Sequence, residues 1–213
     1  MSRVWDELVG GRALAAEVGW WRTLRLGAWI DGQRRRGEPF GHLPPPADER
    51  ERLSRQQASG AILLYRALLH QQLPEPLVTT RRVMAAAGAS FLRSQLGPLT
   101  PRKLATLTAD GLRELGERFF NATIRWDDVG EHHVKFTVTT CTFPALCVAA
   151  GHPELAPLFC AVDDAYFGTI ERGVRLDRPH TIARGHTHCA FHLYREPESA
   201  QGETTDDRSN PPA

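Results

Sequence analysis

A cysteine and two carboxylates lie close together in a segment with a helical pattern. Cys160 is followed by Asp163 and Asp164, and residues three or four apart share one face of a helix. A thiolate is a nucleophile, but neighbouring carboxylates raise the pKa of a thiol, so a cation must approach Cys160 to activate it. The alternative is a buried cysteine that belongs to the core.

Arg178 and four histidines follow Cys160 in the chain: His180, His186, His188 and His192. On predicted strands Arg178 shares a face with His180, and His188 shares a face with His192. Some of these histidines could converge with the helix carboxylates on a metal ion. Their spacing matches no recognised zinc signature, so a solvated strand face is favoured and no metal is expected.

Our site hypothesis places Cys160 and Asp164 at a pocket shared with Arg178 and His180. Arg178 would supply the positive charge that Cys160 needs to ionise. Asp164 would act as a general acid or base, or would pair with Arg178. In the competing interpretation Cys160 is core, and Arg178 and Asp164 form only a structural ion pair.

Composition excludes several classes of function. The chain has 213 residues, with 26 Lys and Arg against 25 Asp and Glu, and this balance argues against a nucleic-acid binder. No apolar run approaches the roughly 20 residues of a membrane span. The first residues lack a signal-peptide pattern, and none of the four cysteines forms a Cys-x-x-Cys pair. We therefore expect a cytoplasmic protein with reduced thiols and no membrane partner.

The spacing of apolar residues predicts an α+β fold, with N-terminal helices packed on a C-terminal antiparallel sheet. Helical spacing dominates up to about Ile124, and Asp48 with Glu51 forms a capping-box variant at a helix start. Val134, Phe136 and Val138 then alternate with polar residues, as in a half-buried strand. Phosphate-loop, dinucleotide-binding, nucleophile-elbow and zinc-protease motifs are absent from the sequence.

Three segments are predicted: a Trp-rich helical extension with a Pro-rich linker (1–46), a main domain (47–195) and a disordered tail (196–213). Gly10-Gly11 is expected to break or kink the helical extension, and the charged run 34–36 is expected to form a solvated turn. The extension carries four tryptophans, Trp5, Trp20, Trp21 and Trp29. They are expected to anchor the extension on the body; the alternative is an interface with a second copy or a partner enzyme.

Three stretches of the chain resemble the L-2-amino-thiazoline-4-carboxylic acid hydrolase family. They are Cys141-Thr-Phe-Pro-Ala-Leu, the Gly151-His-Pro-Glu-Leu segment through Asp164, and the segment from Gly173 to Phe191. The ending Gly-x-x-x-Cys-x-Phe is also distantly similar to vinyl-reductase-type ligand-binding domains. Both resemblances imply an α+β fold with helices on an antiparallel sheet around a small-molecule pocket.

The family resemblance implies a hydrolase that opens a cyclic thiazoline amidine with water to give N-carbamoyl-cysteine. Three positions depart from the family pattern: Pro179 replaces Thr, Ala190 replaces Asp, and His192 replaces Arg. We therefore expect an enzyme for a small cyclic amidine or imine-like substrate, acting on C–N or related C–S bonds, or a diverged relative in specialised biosynthesis. The alternative is a non-catalytic small-molecule-binding or sensor domain.

The residues matching the family pattern, together with the histidines, make up the expected site. The expected catalytic residues are Cys160, Asp164 and His188. The expected substrate-binding residues are Cys141, Asp163, Arg178, His180, Cys189 and His192. The expected partner is a small-molecule substrate, and no cofactor is expected.

Overall fold

The computed structural model describes residues 2–196, with side chains from residue 9 onward. It confirms the α+β fold, because most helices precede the sheet. The helices are α1 Ser2–Val18, α2 Trp20–Arg35, α3 Glu49–His70, α4 Pro76–Leu96, α5 Pro101–Leu104, α6 Ala109–Glu117, α7 Phe143–Ala149 and α8 Ala156–Phe167. The strands are β1 Ala122–Val129, β2 His133–Cys141, β3 Val174–Asp177 and β4 Cys189–Arg195, with 3-10 turns at Pro153–Leu155 and Ile182–Arg184.

Helix α3 begins at the predicted cap. The backbone N–H of Glu51 donates to Oδ1 of Asp48 at 2.7 Å, and Oε2 of Glu51 accepts from the N–H of Ala47 at 2.8 Å. Both contacts satisfy backbone donors at the helix start. This reciprocal arrangement confirms the capping-box variant read from the sequence.

The helical extension breaks at a different glycine from the one expected. Helix α1 runs through Gly10-Gly11, and the chain turns at Gly19, where φ is 84°. A Cβ at Gly10 would lie 3.4 Å from Cβ of Ala87, so this glycine allows close packing of α1 on α4. The expectation of a break at Gly10-Gly11 is therefore wrong.

The sheet is antiparallel in the order β1-β2-β4-β3. Its inner face is formed by alternate residues of the two central strands: Val134, Phe136, Val138, Cys189, Phe191 and Leu193. Phe136 pairs with Phe191 in register, and their rings stack at 4.5 Å between centroids. The predicted alternation in β2 and β4 is confirmed.

The N-terminal extension packs on the body through apolar contacts. Leu14 and Leu26 are buried in one cluster with Leu64, Leu68 and Val83 of α3 and α4. In the segment predicted to be a linker, residues 37–46, Pro39 and Phe40 are buried, and Glu38 pairs with Arg66 at 2.8 Å. The segment is thus fastened to α3 along part of its length.

The tryptophans of the extension differ in their surroundings. Trp29 stacks on His70 at 5.3 Å between ring centroids, as expected of an anchor. Trp20 and Trp21 are 64% and 82% exposed, so they do not anchor the extension on the body. The side chain of Trp5 lies outside the described residues.

The predicted disordered tail also lies outside the described residues except for Glu196, which pairs with Arg175 at 2.9 Å. None of the helices within residues 2–196 is long and apolar enough to cross a bilayer.

Candidate functional site

A cavity of about 940 Å³ lies between helices α3, α4 and α8 and the inner face of the sheet. Its wall is mainly apolar and includes Leu64, Met84, Phe91, Phe136, Phe143 and Phe191. Pockets of this size and character are typical of small-molecule sites. The cavity is therefore the candidate functional site of the described chain.

The structure brings five of the expected site residues to this cavity wall and leaves four outside it. Those on the wall are Cys141, Cys160, Asp163, Arg178 and Cys189. Those outside the lining are Asp164, His180, His188 and His192. Our expectation that Asp164 and His180 face the pocket is wrong, and the carboxylate on the wall belongs to Asp163.

Arg178 joins α8 to the sheet at the cavity wall. Nη1 donates to Oδ2 of Asp163 at 2.6 Å, and Nη2 donates to Oδ1 of Asp164 at 2.7 Å and to the carbonyl of Cys160 at 2.9 Å. The guanidinium also lies 5.0 Å from the centre of the Phe191 ring. Only 7% of the Arg178 side chain is exposed. The expected pairing of Arg178 with Asp164 exists, but Asp163 shares the same guanidinium.

Arg178 reaches this place from a loop, not from a strand as expected. Strand β3 ends at Asp177, and Pro179 follows Arg178. Because proline has no backbone N–H to donate to a strand ladder, the strand cannot continue normally through this position. His180 and His188 also lie outside the strands, so the expected sharing of strand faces is wrong for them.

The carboxyl group of Asp163 is the acidic side chain found on the described cavity wall. Burial raises its pKa to about 6, Arg178 opposes this shift, and the charge of Asp164 adds to it. Both protonation states are therefore accessible close to neutral pH. A carboxyl in this state can accept a proton from water or give one to a leaving group.

Burial disfavours ionisation of the three cavity thiols. Burial raises the pKa of Cys160 to about 12, Asp163 raises it further, and Arg178 only partly opposes them. Burial also raises the pKa of Cys141 to about 11 and that of Cys189 above its usual value. The expected activation of Cys160 by Arg178 is therefore wrong, because the guanidinium is already paired with two carboxylates.

The histidines gather away from the cavity. The ring of His180 lies 4.7 Å from that of His186 and 5.9 Å from that of His188, between centroids. His192 alternates with Phe191 on β4, so it lies on the opposite face of the sheet. Within the described residues, no group of three or more His, Cys, Asp and Glu side chains is arranged to hold a metal ion.

Two features of the cavity were missed in the sequence. Arg34 was assigned to a solvated turn, but it lies in the last turn of α2 and lines the cavity. Gly88 of α4 brings the backbone close to Val162 of α8, where a Cβ would lie 2.5 Å from Cγ1. The helical pattern of α4 contained a signal for Gly88, since glycine inside a helix often marks close packing.

The described fold and cavity define an α+β domain built around a pocket. The family model described as L-2-amino-thiazoline-4-carboxylic acid hydrolase matches residues 54–193. The chain belongs to this family. The match contains α4, α8, strands β1 to β3, most of β4 and every expected site residue, whereas α1 and α2 precede it.

Other comparisons are distant. The comparison with curated proteins gives no match. Among solved structures, the chain is similar to the NMR structure of the SO2144 H-NOX domain from Shewanella oneidensis in the Fe(II)CO state, with 11% identity, 91% of this chain and 98% of that chain covered, and a TM-score of 0.46. A crystal structure of an H-NOX protein from the same organism in the Fe(II)NO state gives 11% identity, 90% and 98% coverage and a TM-score of 0.42. Neither score establishes a shared fold.

Proposed function

We propose that the protein is a hydrolase that opens a cyclic amidine or imine-like ring bound in this cavity, in a specialised biosynthetic pathway. The observation that carries the proposal is the Asp163 carboxyl on the cavity wall, with a pKa near 6 and a fixed hydrogen bond to Arg178. Membership of the hydrolase family supports the same class of reaction.

The reaction requires proton transfer at two places. For a 2-aminothiazoline, the oxygen of water bonds to the amidine carbon and the ring C–S bond breaks. One proton of the water passes to the ring nitrogen and the other to the leaving sulfur. The product carries a carbamoyl group on the former ring nitrogen and a free thiol. Asp163 can take a proton from the attacking water and return it to a leaving heteroatom, since both of its forms are populated close to neutral pH.

Arg178 and Cys160 have supporting roles in this proposal. The 2.6 Å hydrogen bond from Arg178 fixes the orientation of the Asp163 carboxyl, which proximity catalysis requires. A thiol with a pKa of about 12 is a poor nucleophile near neutral pH. We therefore assign Cys160, Cys141 and Cys189 to substrate contact.

Two of the departures from the family pattern, Ala190 and His192, lie outside the cavity lining. Ala190 and His192 alternate on β4 with Cys189 and Phe191, and only the latter two line the cavity. The loss of the family's Asp and Arg from these positions therefore leaves Asp163 and Arg178 in place. This location favours retention of the hydrolytic reaction of the family.

The second candidate function is ligand binding without turnover. It is favoured by the neutral cavity thiols and by the mainly apolar wall, which suit retention of a small molecule. The two candidates differ in whether a bound thiazoline is consumed.

The test uses 2-amino-2-thiazoline-4-carboxylic acid, with release of the product thiol followed by Ellman's reagent. Asp163→Asn should lower kcat/KM by about 10²–10⁴-fold, the usual contribution of general acid–base catalysis. Asp164→Asn is the matched control, because Asp164 also pairs with Arg178 but is 59% exposed and off the wall. Retained turnover in Asp163→Asn, with both variants folded by circular dichroism, would reject the mechanism. Binding of thiazolines without thiol release would favour the second candidate.

A further inference from the structure

The cavity is much larger than one thiazoline ring requires. Its volume of about 940 Å³ lies near the upper end of the roughly 300–1,000 Å³ typical of drug-sized ligands. A five-membered ring with an amino group and a carboxylate would fill only a small part of this space. Resting on the proposed function, we propose that the substrate joins its reactive ring to a large apolar body and to an anionic group that Arg34 binds.

The apolar body is indicated by the cavity wall. Aromatic and aliphatic side chains from both helices and strands form it, among them Leu64, Val83, Phe91, Phe136, Phe143 and Phe167. Burial of apolar ligand surface against such a wall is the main source of binding free energy for small molecules. A small polar amino acid would leave most of this wall uncovered.

The anionic group is indicated by the exposed part of the lining, which we call the rim. The rim consists of Arg34, Gln56, Gln95 and Arg118. It thus holds two guanidinium groups and two amides, with no carboxylate. Among the lining residues that the structure describes, Asp163 is the sole acidic one, and Arg178 already pairs with it.

The two rim arginines are weakly engaged within the protein. Among the described side chains, Arg34 pairs only with Asp31, at 3.7 Å between two largely exposed side chains. Arg118 has no ion-pair partner among the side chains of residues 9–196. Guanidinium groups bind carboxylate and phosphate oxygens in a two-pronged geometry. Both arginines are therefore available to a ligand anion.

Arg34 adds a contact from outside the family-matched segment. It comes from α2, ahead of residue 54, and Nη2 would lie 3.9 Å from a Cβ placed on Gly60 of α3. The guanidinium therefore lies beside α3 at Gly60, where α3 carries no side chain. By this placement the N-terminal extension takes part in substrate selection.

A pair of fluorescent probes tests the binding part of the proposal. 8-Anilino-1-naphthalenesulfonate has an apolar body and an anionic group, whereas N-phenyl-1-naphthylamine has the same body without the charge. Arg34→Ala should weaken the sulfonate about three- to tenfold and leave the neutral probe unchanged, and Arg34→Lys should keep part of the affinity. Arg35→Ala, next on the same helix but off the lining, should change neither probe.

Gln57→Trp locates the probes. Gln57 lines the cavity, so an indole there should weaken both probes more than tenfold. Unchanged binding in this variant would place the probes elsewhere, for example on the exposed Trp20 and Trp21, and would overturn the proposal. If Arg34→Ala weakened the binding of both probes equally, Arg34 would not recognise the anionic group, and this part of the proposal would be wrong.

Turnover separates this inference from the proposed function. An N-aryl 2-aminothiazoline-4-carboxylate should have a kcat/KM at least tenfold above that of the parent acid. In the wild type, the methyl ester of this compound should have a lower kcat/KM than the acid. Arg34→Ala should lower the kcat/KM of the ester little further, because the ester has no anion for Arg34 to bind. Equal turnover of the parent and aryl acids would overturn the inference and leave the proposed function standing. No turnover of any thiazoline, with the probe results as expected, would reject the proposed function alone.

Discussion

Arg178 donates from Nη1 to Oδ2 of Asp163 at 2.6 Å, across the junction between the β3–β4 loop and helix α8. The side chain of Arg178 is almost wholly buried. Removal of one partner from a buried pair leaves an uncompensated charge, which costs much more than the pair itself contributes. The same contact therefore contributes to the stability of the domain and orients the carboxyl that the proposed reaction uses.

We expect Arg178→Ala to lower the free energy of unfolding by about 3–5 kcal/mol, because Asp163 loses its buried partner. Urea unfolding followed by circular dichroism measures this change. Arg175→Ala is the control, since Arg175 pairs with Glu196 at the surface and is 58% exposed. Its loss should cost no more than about 1 kcal/mol. Similar costs for the two variants would mean that Arg178 is not a structural link.

The pKa of Asp163 predicts a specific dependence of stability on pH. Its folded-state value of about 6 lies above the ordinary value of 3.8, so the folded protein binds this proton more tightly than the unfolded chain does. The contribution of Asp163 to the free energy of unfolding should fall as pH rises from about 4 to about 6. Asp163→Asn should lack this contribution.

Two measurements check the Asp163 prediction. A ¹³C NMR titration of the aspartate carboxyls should show one midpoint near pH 6 that is absent from Asp163→Asn. Melting temperatures of the wild type and the variant should diverge across the same interval. A midpoint near the ordinary aspartate value would contradict the proposed acid–base role as well.

The sequence was sufficient to predict the fold class and part of the cavity wall. Alternation in β2 and β4 comes from burial of one sheet face, which leaves a direct pattern in residue types. Cys160 and Asp163 could be placed on one helix face in the same way. The choice between Asp163 and Asp164 could not, because positions three and four residues from Cys160 both suit that face. The packing of α8 decides it, since Asp163 lies on the cavity lining and Asp164 is 59% exposed.

Other features depend on tertiary packing. A glycine can end a helix or permit two helices to approach closely, and the sequence does not distinguish Gly19 from Gly10. Pro179 was a readable signal that a strand ends near Arg178. The ionisation of Cys160 depends on how the guanidinium of Arg178 is shared, and only the three-dimensional contacts determine this.

Tyr166 should be important for stability because its buried hydroxyl bridges the turn after α4. The hydroxyl donates to the carbonyl of Gly97 and accepts from the N–H of Leu99 at 3.2 Å. Tyr166→Phe leaves both backbone groups without this partner and should cost about 1–3 kcal/mol. Thermal and urea unfolding measure the loss. Tyr194→Phe removes a hydroxyl from a half-buried position and should change stability by less than about 0.5 kcal/mol.

The contact between Gly88 and Val162 should limit the approach of α4 to α8. A Cβ at position 88 would lie 2.5 Å from Cγ1 and 2.7 Å from Cγ2 of Val162, well inside van der Waals contact. Gly88→Ala should therefore destabilise the fold by about 1–3 kcal/mol, although alanine favours helices. Gly11→Ala, in α1 with no atom of another described element within 4 Å of the new methyl, should instead stabilise it by about 0.5–1 kcal/mol.

Val162→Ala provides the second half of a double-mutant cycle with Gly88→Ala. By itself it removes packing atoms and should destabilise, but in the Gly88→Ala background it also removes the clash. The double variant should therefore be more stable than the sum of the two single changes predicts, by at least about 0.5 kcal/mol. Equilibrium unfolding of all four proteins gives this coupling. Additive effects would show that the helices separate freely, and then Gly88 would not determine the width of the cavity between α4 and α8.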